Sequence, residues 1–341
     1  MAWHNIQGHD AARQQLFTAY RRGRLAHAFL FTGPTGVGKN LFATEFAKAL
    51  LCENSPAELT ACDRCQACAQ VMAGTHPDFY IARKPETKHE LPVEVLRSFC
   101  QQLGLKPSRG KRSVGIVEDA DDLNEESANC FLKTLEEPPP GSVLILLTST
   151  TEGQLSTIQS RCQVVRFHPL PPLAVATVLA AHDITDPAQV QRLVRLANGC
   201  PGQALALNDD ALWAFRETML ATMTSPRPDS VTLAERWFKF VEEVGKESAA
   251  QRARASLVIR MVMDALQTGL RLALGDESIT TSSEIETLRR FAVLHGPEQL
   301  ATWLEDCAEA DYLIDRKVQL ILVIESLSDK LCRTTAVVVP H

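Results

Sequence analysis

The chain has 341 residues, too many for one ordinary domain and enough for two or three. Apolar residues make up 45% and charged residues 22%, a globular composition that excludes disorder across the bulk of the chain. A net charge of −6 argues against a protein that grips DNA alone, and no apolar run reaches the roughly 18 to 20 residues that span a bilayer. The start, Met1-Ala2-Trp3-His4, has no basic segment followed by an apolar core, so the expected compartment is the cytoplasm.

In chain order, residues 28–32 (AFLFT) predict a short strand that enters a Gly-rich turn. Lys39 to Leu51 predicts a helix, with Leu41, Phe42, Phe46, Leu50 and Leu51 near helical spacing. Strand-like runs follow at Phe79–Ala82, Val114–Val117, Val143–Leu147 and Val164–Phe167, with helical candidates at Val93–Leu103 and Ser127–Leu135. Strands alternating with helices imply a parallel sheet covered on both faces. The joint Pro169-Leu170-Pro171-Pro172 ends this section. Residues 173–207 read as a small helical unit that Gly199, Pro201 and Gly202 break near its end. From Ala211 to Leu331 the pattern is helical, with long one-sided apolar stretches at Leu257–Leu274 and Leu313–Leu331 and loops at Ser225–Pro228 and Gly275–Ser283. The expected fold class is an α/β P-loop domain over 1–170, then a small helical lid over 171–208 and an all-α domain over 209–341.

Residues 33–40 read Gly33-Pro34-Thr35-Gly36-Val37-Gly38-Lys39-Asn40, close to the P-loop pattern G-x-x-x-x-G-K-[ST] between a strand and a helix. The glycines let main-chain N–H groups converge on phosphate oxygens, the helix start adds positive potential, and Lys39 would reach the β- and γ-phosphates. The last position departs from the pattern. Asn40 replaces the hydroxyl that ligates Mg²⁺, which puts magnesium placement and hydrolysis of ATP in doubt.

Acidic residues close the strand run Val114–Val117: Glu118, Asp119, Asp121 and Asp122. Ligands of open α/β sheets sit beyond the carboxyl ends of the strands, and in a P-loop chain this is the Walker B location, where one carboxylate holds the metal and the next polarises water. The usual order is Asp then Glu. Here Glu118 precedes Asp119, and the changed arm lengths shift a geometry in which about 1 Å matters. A solvated helix start accounts for Asp121 and Asp122 better than for Glu118.

Cys52, Cys62, Cys65 and Cys68 give C-x9-C-x2-C-x2-C, a module over 52–68 that matches a closed tetrahedral structural Zn²⁺ site. An iron–sulfur cluster is the rival ligand. Cys100, Cys130, Cys162, Cys200, Cys307 and Cys332 read as ordinary small buried side chains.

Together these features resemble bacterial DNA polymerase III clamp-loader subunits of the AAA+ family. The resemblance is strongest over 1–208. It rests on R-L-A-H-A-F-L-F-T-G-P-T-G-V-G-K (24–39), the cysteine module, G-T-H-P-D-F (74–79), L-K-T-L-E-E-P-P (132–139) and T-I-Q-S-R-C (157–162). It implies that Thr148 and Ser149 match the sensor-1 strand end. It also implies that Arg161 is an arginine finger reaching the nucleotide of a neighbouring subunit, and that the helical remainder is an oligomerising collar. Gly199-Cys200-Pro201-Gly202 stands where the motor subunits, gamma or tau, carry G-S-x-R, so Gly202 replaces a sensor-2 arginine. That form resembles the delta-prime branch, in keeping with Asn40, the Glu118–Asp119 order and a chain that stops soon after the collar. The resemblance implies a stator with weak or absent ATPase, working with gamma or tau, delta, the sliding clamp and primed DNA, and with no membrane.

An active gamma/tau-type ATPase is the enzyme-class alternative. A zinc-dependent DNA-binding module is a third reading, weakened because Arg64 is the one basic residue between Cys52 and Cys68. Basic clusters at Arg21-Arg22-Gly23-Arg24 and Lys106–Arg112 read as solvated surface or as lining for a DNA chamber.

Overall fold

Five parallel strands, β1 (Ala28–Thr32), β2 (Phe79–Ala82), β3 (Ser113–Val117), β4 (Ser142–Thr148) and β5 (Gln163–Arg166), form one sheet in the order β2-β3-β4-β1-β5. The structure is a computed structural model, and it describes residues 3, 6–54, 59–85, 88, 90–110, 112–151, 154–245, 248–276 and 283–333. The chain divides into two compact units, Met1–Leu205 and Ala206–His341.

In the first unit the strand period of two sorts apolar side chains onto two faces. Phe29 and Phe31 of β1 and Val143, Ile145 and Leu147 of β4 point to one face. They pack with Leu16 of α1 (Asp10–Arg21) and with Phe42 and Phe46 of α2 (Lys39–Leu51). Ala28, Leu30, Leu144 and Leu146 point to the other, against Leu96 and Phe99 of α4 (Val93–Leu103) and Phe131 of α5 (Glu125–Glu136). Both faces are therefore covered, as a buried parallel sheet requires. Between α2 and β2 lies the short α3 (Gln66–Met72). A four-residue helix, α6 (Ser156–Gln159), leads into β5. Three helices, α7 (Pro172–Ala181), α8 (Pro187–Leu196) and α9 (Pro201–Ala206), follow β5.

Register aligns the carboxyl ends of the strands. Thr32 stands opposite Thr148 and Arg166, and Val117 opposite Leu146. The loops after β1, β3 and β4 thus open on one edge of the sheet, in the parallel, two-faced arrangement expected from the alternation of elements.

The second unit is helical: α10 (Asp210–Met223), α11 (Ser230–Glu242), α12 (Ser248–Ala273), α13 (Ser283–Asp315) and α14 (Leu320–Cys332). Trp237, Trp303, Leu266, Leu300 and Ile324 are buried within it. Phe215 and Phe240 stack 4.4 Å apart, and the Arg254 guanidinium lies 4.0 Å above the Phe240 ring. Among the described residues no helix is long and apolar enough to cross a membrane.

Three sequence expectations change. Helix α1 was not anticipated; only Ala12 and Leu16 of its apolar side chains are fully buried. The break expected at Gly199, Pro201 and Gly202 falls between α8, which ends at Leu196, and α9, but Pro201 opens α9 rather than lying in the break, since proline is tolerated where an N–H has no helical partner. The stretch Leu313–Leu331 is two helices: α13 ends at Asp315, and Lys317 turns the chain with φ 60° before α14. Most of the expected loop Gly275–Ser283 lies outside the described residues.

Candidate nucleotide site and cysteine cluster

The P-loop joins β1 to α2. Gly33 is hydrogen-bonded through its N–H to the Thr148 carbonyl of β4 (3.3 Å), which fixes where the loop leaves the sheet. Gly36 (φ 81°) and Gly38 (φ 109°) turn the chain through the left-handed region. His9, the residue before α1, donates from Nε2 to the Val37 carbonyl at 3.0 Å and packs edge-on against Phe167. Burial, first, pulls its pKa down, as suits a neutral ring.

A cavity of about 740 Å³ opens above the loop. It is lined by Thr35–Asn40, by Glu118, Asp119 and Asp121 after β3, and by Leu147, Thr148 and Ser149 at the end of β4. Thr177, Val178 and Ala181 of α7 and Pro201, Gly202 and Leu205 of α9 complete the walls. Every candidate nucleotide residue from Thr35 to Asn40, with Thr148, Ser149, Glu118 and Asp119, meets in this cavity, whereas Gly33 and Pro34 are not among its lining residues.

Helix α9 sits on the loop. The Gly202 N–H donates to the Gly36 carbonyl at 2.8 Å, and the Gln203 side-chain amide donates to the Thr35 carbonyl at 2.9 Å. A β-carbon on Gly202 would stand 3.0 Å from both Cα and O of Gly36. Glycine at 202 is thus a packing requirement of this closed arrangement.

Lys39 turns back on its own loop, donating to the carbonyls of Gly33 and Pro34 (the latter at 3.0 Å). Burial lowers its pKa, and Asp121 and Asp119 oppose that shift. Glu118 is held from both sides: Asn40 Nδ2 donates to Oε1 at 2.7 Å and Arg83 Nε to Oε2 at 2.8 Å. Asp119 takes a left-handed backbone (φ 48°) and faces the cavity. Burial, then its acidic neighbours, raise its pKa.

Asp121 stands, exposed, in the short 3-10 turn Ala120–Asp122, in keeping with a solvated helix start, and it also accepts hydrogen bonds from β4. The Thr148 hydroxyl donates to its Oδ1, the Ser149 N–H to Oδ2 at 2.6 Å, and Gln154 Nε2 to Oδ1 at 3.3 Å. It ties the end of β4 to the turn after β3. Sequence reasoning missed His9, Arg83, Asp121 and Gln203. Asp121 had a signal in the acidic run 118–122, whereas Arg83 reaches Glu118 because β2 adjoins β3, which no local pattern encodes.

The four cysteine sulfurs lie within 4.8 Å of one another. Cys52 ends α2, Cys65 begins α3 and Cys68 lies one turn into it. Sulfurs receive main-chain donors: Cys62 N–H to Cys52 Sγ at 3.3 Å and Cys68 N–H to Cys65 Sγ at 3.4 Å. The Arg64 N–H foremost brings the Cys62 thiol down to about 6. Four converging sulfurs with N–H donors fit one thiophilic metal ion. The loop is anchored independently of any ion: buried Lys48 of α2 pairs with Asp63 (2.8 Å) and Glu45 (2.7 Å), and Trp3 Nε1 donates to the Leu59 carbonyl at 3.1 Å.

The G-T-H-P-D-F segment is also structural. Buried Asp78 accepts the N–H groups of Ser108 (2.6 Å) and Arg109 (3.0 Å). Arg112 lies 5.8 Å from the centre of the Tyr20 ring, so the two basic clusters are neighbours.

Arg161 lies outside the cavity lining, just after α6. Its Nη2 and Nε bind Glu136 at 2.6 and 3.0 Å, and Nη1 donates to the Thr157 carbonyl at 2.8 Å. Both ends of this pair are accessible, at 33% and 52%.

Residues 8–171 match the family described as "DNA polymerase III, delta subunit". The chain is 31% identical over 254 residues to DNA polymerase III subunit delta' of Escherichia coli, covering 74% of each. It is 34% identical over 221 residues to the delta' subunit of Pseudomonas aeruginosa, covering 63% of this chain and 67% of that one. The tau subunit of Escherichia coli is 32% identical over 217 residues, 61% of this chain and 32% of that protein.

Proposed function

The chain belongs to the DNA polymerase III delta' family, and from that premise we propose that it is the stator of a clamp loader. In this reading it works in the cytoplasm beside gamma or tau and delta, and helps place the sliding clamp on primed DNA. Residues 171–208 act as the lid over the P-loop, and 209–341 form the collar that joins the subunits. Its own site binds nucleotide weakly through the main chain and Lys39, with little hydrolysis. The four cysteines hold a structural Zn²⁺.

The observation that carries the reading is the place of Arg161. It lies outside the lining of its own cavity, and its carboxylate partner Glu136 is half exposed. A neighbour's phosphate can compete for that guanidinium, which stays charged and offers several donors. In trans, such fingers are worth about 10³ to 10⁵ in rate for GTPases.

The test is a loader reconstituted with Arg161→Ala. Subunit association should be intact, while DNA-stimulated ATP turnover and clamp loading fall. Unchanged loading would remove the finger role. The tau-like similarity keeps a motor reading in view, and steady ATP turnover by the isolated chain, abolished by Lys39→Ala, would favour it.

A further inference from the structure

AAA+ nucleotide sites pair phosphate with Mg²⁺, and the residues of this site do not fit that ion. Magnesium demands near-octahedral oxygen ligands at about 2.0–2.1 Å. Position 40, where the P-loop pattern supplies a metal-ligating hydroxyl, instead directs an N–H donor at Glu118 Oε1, 2.7 Å away. The orientation of the amide is chemically forced, because turning its oxygen toward the carboxylate would place two acceptors in contact. Arg83, from the end of β2, brings a fixed positive charge to Oε2 of the same carboxylate at 2.8 Å. Glu118 is only 15% exposed, so its charge is met by Asn40 and Arg83 rather than by water. Asp119, the next carboxylate, lines the cavity, and Asp121 beyond it accepts from Thr148, Ser149 and Gln154. At Glu118 the cation position is therefore bordered by an amide donor and a guanidinium, while Asp119 faces the cavity beside it.

We propose that this site takes a nucleoside di- or triphosphate as the metal-free anion, with Asn40 and Arg83 standing in for the divalent ion. Phosphate charge is met by Lys39, by the P-loop N–H groups and by the start of α2. Arg83 is 63% exposed at the strand end, which leaves it room to turn from Glu118 toward a phosphate oxygen. Asn40 and Arg83 thus set the ligand form as positioning residues. The proposal rests on the nucleotide-binding part of the function above, and it separates holding a nucleotide from hydrolysing one.

The experiment titrates a fluorescent ribose-labelled ADP into the full chain, once with excess EDTA and once with excess magnesium. The expected dissociation constants agree within about twofold, and Asn40→Thr combined with Arg83→Ala gains a magnesium dependence of about tenfold or more. Mn²⁺ followed by electron paramagnetic resonance supplies a second reading. The wild type with ADP should show no protein-bound manganese signal, and the double variant should show one. Wild-type binding that weakens about tenfold in EDTA, or bound manganese lost in Glu118→Gln, overturns the proposal. A double variant that binds ADP equally with and without magnesium also overturns the roles given to Asn40 and Arg83. Absence of binding under both conditions overturns the nucleotide reading itself, and leaves the stator role to the Arg161 test.

Discussion

The N–H of Gly202 and the carbonyl of Gly36 are joined at 2.8 Å, so the first turn of α9 and the phosphate loop share one hydrogen bond. Neither glycine has room to grow. A β-carbon on Gly36 would stand 2.9 Å from the Gln203 nitrogen, in a residue whose φ of 81° already disfavours one. Gly36→Ala is expected to cost about 2–4 kcal/mol of unfolding free energy, from left-handed strain plus overpacking. Urea unfolding followed on the full chain measures it.

Gly202→Arg recreates the side chain that motor subunits carry in the lid. Motor activity should not return with it. The new β-carbon would press on the Gly36 backbone at 3.0 Å, and Asn40 and Arg83 would still occupy the Glu118 carboxylate. Steady ATP hydrolysis by that single variant would show that the missing arginine alone silences the site.

Arg161→Ala should leave the isolated chain nearly as stable as the parent. Its pair with Glu136 is open to solvent, and such pairs contribute about 0–1 kcal/mol. Thermal melts of the two proteins should therefore superimpose within a few degrees, so that any loss in the assembled loader reports on function.

Removing metal from the cysteine cluster should loosen 52–68 while the core of the first unit persists. Lys48–Asp63 and Trp3–Leu59 hold that loop without an ion; Cys52, Leu59 and Cys68 pack into the core on one face of the sheet, and the core on the other face contains none of the module. One zinc per chain should be released on strong chelation. Tryptophan emission should shift in the parent and less in Trp3→Phe, while far-ultraviolet circular dichroism stays close to its starting value. Wholesale loss of secondary structure would make the cluster a condition of folding.

Acid should weaken the second unit through His295. The ring is buried between Phe291 and Trp303, and among the described residues neither nitrogen meets a partner at full hydrogen-bond geometry. Burial holds its pKa below the ordinary 6.5, with a weaker opposing pull from the Met223 backbone. The unfolded chain therefore takes up a proton first. The stability of the neutral ring is complete above pH 6.5 and is lost as pH falls from there toward the folded value. His295→Phe should flatten that part of the pH–stability curve. An unchanged slope would place the acid sensitivity elsewhere.

Much of the candidate nucleotide cavity was legible in the sequence because its parts are local. The P-loop, the helix Lys39–Leu51 and the acidic end of β3 each lie within a short stretch whose pattern carries its own physics. The strand Phe79–Ala82 was equally plain, since a short apolar run bounded by polar residues has one good use in an alternating chain. What escaped was relational. Arg83 matters only because β2 lies beside β3, Gln203 because α9 folds onto a loop 168 residues earlier, and Asp121 because β4 ends next to it. Gly202 could be read as the loss of an arginine; that it also fits against Gly36 is a fact of packing.

The buried carboxylate of Asp78 has a further consequence, for the exchange of amide protons. It receives the N–H groups of Ser108 and Arg109, whose own side chains face water in the basic loop. Amides in an exposed loop trade deuterium quickly unless they are bonded. These two should persist as a slow island among fast neighbours, and Asp78→Asn should speed both, so that the loop's labelling pattern reads the state of one side chain inside the domain.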